Sequence, residues 1–307
     1  MKVKFWGVRG SYPVPGPTTN RYGGNTPCVQ VCPDSGKTII LDAGTGIRPL
    51  GRSLNGDAAG DVHLLIGHTH WDHIQGLPFF TPLYTEGNRI TIYARQRDVH
   101  LRTLFTSQTK DPYFPVNLAD VSADVDYREL MEGTAFNIDD VTVRCARLNH
   151  PYIALGYRLE ADGHSVVYIS DTAPFDSVLL GYEFIASTPD LNNRPTGSDA
   201  AALEAMRQGV VDLCQDADLV IYDTMFQMNE YLACPHWGHS APEHAVEIAE
   251  EANVRCLALF HHAPQRTDDQ QDEVVRIVQE QTKIKVIGAA EGQAVSFDGD
   301  AVEVVSE

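Results

Sequence analysis

Four side chains able to ligate a metal fall within six positions: His68, His70, Asp72 and His73, in the stretch His68-Thr69-His70-Trp71-Asp72-His73-Ile74-Gln75-Gly76. Imidazole and carboxylate donors together suit zinc, manganese or iron. Three His and one Asp exceed what a single open catalytic ion needs, so two adjacent divalent ions are the economical reading. Such a pair lowers the pKa of bound water and clamps the attacking and leaving oxygens of a displacement. An exposed His-rich turn is the plain alternative. The apolar run 62–66, closed by Gly67, argues against it, because it reads as a buried strand that delivers the donors at its exit.

The same placement recurs downstream. Residues 141–148 alternate as a strand and end at Asn149-His150-Pro151, and 165–169 end at Ser170-Asp171-Thr172. Residues 218–222 run into Asp223-Thr224, and 254–260 into His261-His262-Ala263-Pro264. Five apolar strands thus carry His or Asp at their C-terminal ends, the edge where ligand sites gather in α/β sheets. Helical patterns at 199–212 and 242–252 lie between them. Ser240 is expected to cap the second, with Glu243 in capping-box position.

The elements before and around the cluster are less regular. A strand at 3–6 opens into a loop, 7–27, whose Pro and Gly content rules out helix or sheet interior. Loops of that length in compact domains are functional or mobile. Strands at 28–32 and 38–41 lead to Asp42-Ala43-Gly44-Thr45-Gly46, which lacks the third Gly of a dinucleotide fingerprint. Thr45 is expected to cap a helix toward Leu54. Asp42 is expected to brace the donors from beneath rather than to ligate. A short strand at 90–93 and a helix at 98–108 precede Asp111-Pro112-Tyr113-Phe114-Pro115, an aromatic patch open to use as a lid, a dimer contact or core.

Composition narrows the partners. The formal net charge of −19 repels polyanions, so long RNA or DNA is a poor substrate. A small anionic substrate survives that objection, since metal ions dominate the field of their own pocket. No apolar span of membrane length and no signal peptide are visible, which favours a cytoplasmic protein with no membrane partner. The six cysteines are scattered without zinc-knuckle spacing and read as buried thiols. With no convincing linker, residues 1–307 read as one domain with insertions near 95–120 and 187–198. A second copy of the chain, as a homodimer, is left open.

His68-X-His70-X-Asp72-His73 resembles the signature of the metallo-β-lactamase superfamily residue for residue. With His150, Asp171 and His261, the order matches that of the dinuclear hydrolases of this superfamily over nearly the whole chain. The resemblance implies an α/β fold, a four-layer αββα sandwich of the metallo-β-lactamase type with a dinuclear metal site at the strand-end edge. It implies that His68, His70 and His150 hold one ion, that Asp72, His73 and His261 hold the other, and that Asp171 bridges. His261 aligns with the family's ligand, and His262 stays open as the alternative. The ions implied are zinc or manganese, with iron admitted.

The C-terminal half is similar to the tRNase Z and cyclic-phosphodiesterase branch, through Asp223-Thr224-Met225-Phe226, Trp237-Gly238-His239-Ser240 and Phe260-His261-His262-Ala263-Pro264. The stretches Val3-Lys4-Phe5-Trp6-Gly7-Val8-Arg9-Gly10-Ser11 and Arg21-Tyr22-Gly23-Gly24-Asn25-Thr26 resemble the phosphoribosyl cyclic phosphodiesterase group. Asp223 stands where tRNase Z has Glu. Asp72, His239 and Asp223 are the catalytic residues this likeness implies, because an alkoxide leaving group needs a proton donor and a His oriented by a carboxylate supplies one. The expected activity is metal-dependent hydrolysis of a small phosphodiester, a cyclic nucleotide or a ribose cyclic phosphate, by hydroxide held between the ions. A thioester or lactone hydrolase on the same fold, or a weakly catalytic sensor of a phosphate ligand, are the competing readings.

Overall fold

The computed structural model describes residues 1–54, 60–176, 178–180, 197–299 and 301–306. The expected insertion at 187–198 lies outside them, apart from its last two residues, which begin a helix. In chain order the strands are β1 (Lys2–Gly7), β2 (Cys28–Cys32), β3 (Thr38–Leu41), β4 (Asp61–Leu65), β5 (Arg89–Arg95) and β6 (Asp124–Leu130). There follow β7 (Ala135–Ile138), β8 (Val141–Leu148), β9 (Ala154–Ala161), β10 (His164–Ile169), β11 (Leu219–Asp223), β12 (Cys256–Phe260), β13 (Lys285–Gly288), β14 (Gln293–Asp298) and β15 (Ala301–Ser306). They form two sheets, ordered β15-β14-β1-β2-β3-β4-β5-β6 and β13-β12-β11-β10-β9-β8-β7.

Strand periodicity explains the layering. In β3, Ile39 and Leu41 enter the core between the two sheets while Ile40 faces the other way, because successive strand side chains alternate faces. The inter-sheet core joins Val3, Phe5 and Leu65 to Tyr157, Ile221 and Phe260. Outside the first sheet, α1 (Ile47–Ser53), the single turn α2 (Trp71–Ile74) and α3 (Leu101–Gln108) cover Ile40, Leu64 and Ile92 with Leu50, Ile74 and Phe105. Outside the second, α4 (Gly197–Cys214), α6 (Pro242–Glu251) and α7 (Asp268–Gln281) cover Val167, Val220 and Leu257, and the short α5 (Met228–Ala233) lies beside them. The result is the four-layer αββα sandwich expected.

Direction matters more than layering for the site. Strands β3, β4 and β5 pair in parallel, as do β10, β11 and β12, and β8 runs with β10 because each is antiparallel to β9. The C-terminal ends of β4, β8, β10, β11 and β12 therefore share one edge. Two bonds lock the sheets together there: Leu155 donates its N–H to the Gly67 carbonyl (2.9 Å) and the Tyr157 hydroxyl to that of Ile66 (2.8 Å).

Two expected caps are corrected. The N-cap of α1 is Gly46, without a side-chain bond; the Thr45 hydroxyl is instead drawn into the 7–27 loop, accepting from Thr26 N–H and donating to Asn25. The N-cap of α6 is Ala241, whose N–H is met by His244 Nδ1 at 3.0 Å, while Ser240 donates its hydroxyl to the Thr172 carbonyl at 2.7 Å. In both cases a bond to a distant loop outcompetes the local one. Tyr113 is 86% exposed, which removes core from its uses, and Phe114 packs edge-on against Phe79 with centroids 5.5 Å apart. All six cysteines are free, and four are buried. Among the described residues no helix is long and apolar enough to cross a membrane.

Candidate metal centre

The shared strand edge gathers the donors into two touching sets. His68 and His70 leave β4, and His150 follows β8; these three rings form the first set. His68 Nε2 lies 2.9 Å from His70 Nδ1, which lies 3.1 Å from His150 Nε2. Three lone-pair nitrogens this close have too few protons among them to satisfy one another, whereas a cation at their centre satisfies all three. Asp72, His73, Asp171 and His261 form the second set. His73 Nε2 and His261 Nε2 each lie 3.2–3.3 Å from both Asp72 Oδ2 and Asp171 Oδ1. Donors around a tetrahedral ion at ~2.0–2.1 Å are separated by about 3.3 Å, so these spacings fit a metal better than they fit hydrogen bonds. His73 Nε2 and Asp171 Oδ1 are buried without a hydrogen-bond partner, as atoms reserved for an ion would be.

Asp171 faces both sets. Its Oδ1 belongs to the second, and its Oδ2 lies 3.6 Å from His68 Nε2 and 3.8 Å from His150 Nε2. The structure thus brings all seven sequence-expected donors together. His262 is turned away: its Nε2 donates to the Ala289 carbonyl at 2.8 Å, and its ring meets Tyr22 edge-on.

Protonation follows from burial and neighbours. Burial, reinforced by the other rings, holds His68 well below the ordinary histidine value and takes His150 down to about 3, so both are neutral donors. Burial alone would protonate Asp72 and Asp171, but the adjacent histidines outweigh it and keep both carboxylates well below their usual range. For His73 burial also opposes charge, yet Asp171, Asp72 and Asp42 prevail and raise its pKa. An ion taking His73 Nε2 must displace that proton.

Around the donors stands a layer that fixes their aim. Asp42 accepts three bonds, from His73 Nδ1 (2.6 Å), the Tyr168 hydroxyl (2.7 Å) and the Gly67 N–H (2.7 Å), so it braces rather than ligates. His150 Nδ1 donates to the Gly238 carbonyl at 2.8 Å. The 7–27 loop reaches the second set: Ser11 N–H donates to Asp72 Oδ2 at 2.8 Å, and a Cβ at Gly10 would lie 2.6 Å from the His261 ring. Buried Arg9 pins that loop through the carbonyls of Gly23, Ala263 and Arg266. Ser11, Asp42, Tyr152, Ile153 and His261 all have φ near +60°, a conformation costly outside glycine that persists only where surrounding structure enforces it.

Next to the donors, His239 Nδ1 sits 3.0 Å from Asp223 Oδ2. Asp223 is itself held by the N–H groups of Met225 (3.0 Å) and Thr172 (3.2 Å), and Phe226 meets the His239 ring edge-on. Burial would lower the His239 pKa, but Asp223 first, then Asp171 and Asp72, raise it to about 9. Cations bound nearby would oppose that rise and bring the pKa of the ring closer to the working pH, where a general acid is most effective. A cavity of about 600 Å³ elsewhere, among α5, α6 and α7, contains none of these groups.

Sequence reasoning assigned no role to Gly10, Ser11, Gly238 or Tyr168. The first three lay within the stretches that carry the family resemblance, and Tyr168 left a signal of its own, a hydroxyl within an apolar strand that must find a partner.

This fold and donor geometry define the class. Residues 37–185 match the beta-lactamase superfamily domain. Ribonuclease Z of Halobacterium salinarum is 26% identical over 284 residues, covering 85% of this chain and 86% of its own. Two solved structures share the fold: a diphosphatase of the PhnP family (TM-score 0.65, 18% identity, 97% and 98% of the two chains) and the short form of human tRNase Z (TM-score 0.63, 20% identity, 97% and 100%). The chain has the metallo-β-lactamase fold, and the proteins it is similar to include ribonuclease Z and a PhnP-family diphosphatase.

Proposed function

We propose that this metal-dependent phosphodiester hydrolase acts on a small cyclic phosphodiester, a cyclic nucleotide or a ribose cyclic phosphate, using two divalent ions. The observation that carries the reading is the His239–Asp223 pair beside two donor sets that share Asp171. Zinc or manganese suits the donors, with His68, His70 and His150 holding one ion and Asp72, His73 and His261 the other. Bound there, the ions supply charge to the phosphoryl oxygens and an activated water.

The chain's own groups do the rest. Asp171 neutralises charge between the two positions and keeps them adjacent. Asp42 and the Gly238 carbonyl hold His73 and His150 in the tautomers that present Nε2 inward. Water adds to phosphorus as the P–O bond to the sugar breaks, and the departing oxygen takes a proton. His239, with Nδ1 committed to Asp223, has Nε2 left to give it. A thioester makes less use of this pair, since a thiolate departs without a proton; a lactone expels an alkoxide and would use it, so the substrate panel separates that case.

The small size of the substrate rests on charge. The net −19 opposes a polyanion, although relatives carry the name ribonuclease Z. The test is a panel of cyclic nucleotides, ribose cyclic phosphates, thioesters and lactones offered to zinc- and manganese-loaded protein, with metal content measured alongside. Turnover confined to the phosphodiesters supports the reading; turnover confined to thioesters or lactones overturns it.

A further inference from the structure

The chain has three tryptophans, and two of them, Trp71 and Trp237, are 66% and 58% exposed. Exposed indole is costly to keep in water, and both belong to segments that carry residues of the metal centre. Trp71 lies between the donors His70 and Asp72 and opens α2. Trp237 precedes Gly238, whose carbonyl fixes His150, and its ring lies 6.4 Å from Phe226, which in turn touches the His239 ring. Two exposed tyrosines belong to segments that reach the centre. Tyr152 is 36% exposed and lies edge-on to His70, with centroids 6.1 Å apart. Tyr12 is 55% exposed and follows Ser11, the residue whose N–H holds Asp72.

These four rings come from four separate segments of the chain, and each is within two residues of a group that makes or fixes the centre. The remaining exposed aromatics among the described residues, Phe79, Tyr84 and Tyr113, belong to the 77–114 region instead. His70 is the least buried donor of its set, so the first set is the one that opens to solvent, and Trp71 and Tyr152 flank it. The backbone is strained to place two of these side chains' loops: Ser11 and Tyr152 both have φ near +60°. Apolar packing does not account for rings left this exposed.

We propose that Tyr12, Trp71, Tyr152 and Trp237 form an aromatic collar that stacks a planar heterocyclic base, so that the phosphodiester cleaved at the centre is one that carries a nucleobase. The inference rests on the phosphodiesterase reading and chooses within it, against a ribose cyclic phosphate without a base. Stacking suits the chemistry: every base has a π-face, an aromatic side chain binds it without depending on its sequence identity, and it adds affinity without adding positive charge to an acidic protein. Arg97, whose guanidinium carbon lies 6.0 Å from the Tyr152 ring centroid, stiffens that wall by a cation–π contact.

The experiment compares 2′,3′-cyclic AMP with the 2,3-cyclic phosphate of methyl riboside, a substrate identical but for the base. The native protein is expected to prefer the nucleotide in kcat/KM. In Trp71→Ala and Trp237→Ala that preference falls about tenfold each, as a rise in KM for the nucleotide at little change in kcat, the scale of one lost base–aromatic contact. Trp71→Phe, which keeps a ring, restores most of the preference. Metal content and circular dichroism of each variant identify any that fails to fold or load. Equal kcat/KM for both substrates in the native protein overturns the collar while leaving the phosphodiesterase reading intact. Equal losses on both substrates overturn it too, by making the tryptophans structural. Hydrolysis of neither substrate, with other phosphodiesters also untouched, overturns the reading on which it rests.

Discussion

Asp42 Oδ2 lies 2.6 Å from His73 Nδ1, and the same oxygen accepts the Tyr168 hydroxyl at 2.7 Å. One carboxylate reached from β3 thus orients a donor that follows β4 and is itself oriented by the middle layer of the sandwich. Its charge strengthens His73 as a ligand, and its geometry keeps the Nδ1 proton away from the metal side. Asp42→Asn is expected to weaken metal affinity by about 10- to 100-fold, the usual scale for a partner of this kind. Tyr168→Phe removes one of three bonds to Asp42 and should weaken it less. Competition against a chromophoric chelator measures both, and unchanged affinity in Asp42→Asn would show that the brace is dispensable.

Asp171 faces both donor sets, so its loss should affect both positions at once. Protein purified without chelator is expected to carry close to two equivalents of transition metal by elemental analysis, and Asp171→Ala to lose most of both. A stable single equivalent in the native protein, unaltered by added metal, would contradict the paired arrangement.

His239→Ala removes no donor from either set, so metal content should stay unchanged. Turnover of a diester with an alkyl leaving group should fall by about a hundredfold or more, while an aryl diester, whose phenolate departs unaided, should lose much less. Equal losses on both substrates would assign His239 to binding rather than proton donation.

The pH profile tests the partnership with Asp223. Asp223 raises the His239 pKa, so the ring stays protonated to higher pH than it would alone. A proton donor is competent below its pKa, so the rate for alkyl diesters should fall as pH rises through it. Asp223→Asn removes the charge that raises the pKa, and the falling limb should move to lower pH. A limb that stays in place, or shifts upward, would mean another group sets it.

Precursor tRNA is expected not to bind measurably at physiological salt, because most of the surface repels a polyanion. Filter binding or fluorescence anisotropy decides the point. Submicromolar affinity would direct attention to Arg95, Arg97, Arg102 and Lys110 as a local basic face.

How much of this was legible in the sequence depended on whether the cause was local. The donors could be read because an apolar run ending in His or Asp is a local pattern, and β4, β8, β10, β11 and β12 each repeat it. Asp42 could be placed beneath the metals because it too ends a strand. Thr45 and Ser240 were misread because their hydroxyls have local capping chemistry and a better offer from loops far along the chain. Gly10 and Gly238 lay within family-like stretches, but what they do there could not be read. Their value lies in what a Cβ would strike, the rings of His261 and His150, and those neighbours are set by tertiary packing alone. The pairing of β14 with β1 is equally nonlocal, since it joins opposite ends of the sequence.

The donors come from distant points on the chain: Asp72 and His261 are 189 residues apart, His70 and His150 are 80 apart, and each pair joins the first sheet to the second. An ion bound between them is a removable rivet across the seam of the sandwich. Closing so long a loop costs little more than closing a short one, and whatever binds only the folded form shifts the folding equilibrium by mass action. Metal supply is therefore expected to set the stability of the fold as well as the rate of the reaction, and thermal unfolding with and without chelator measures the first.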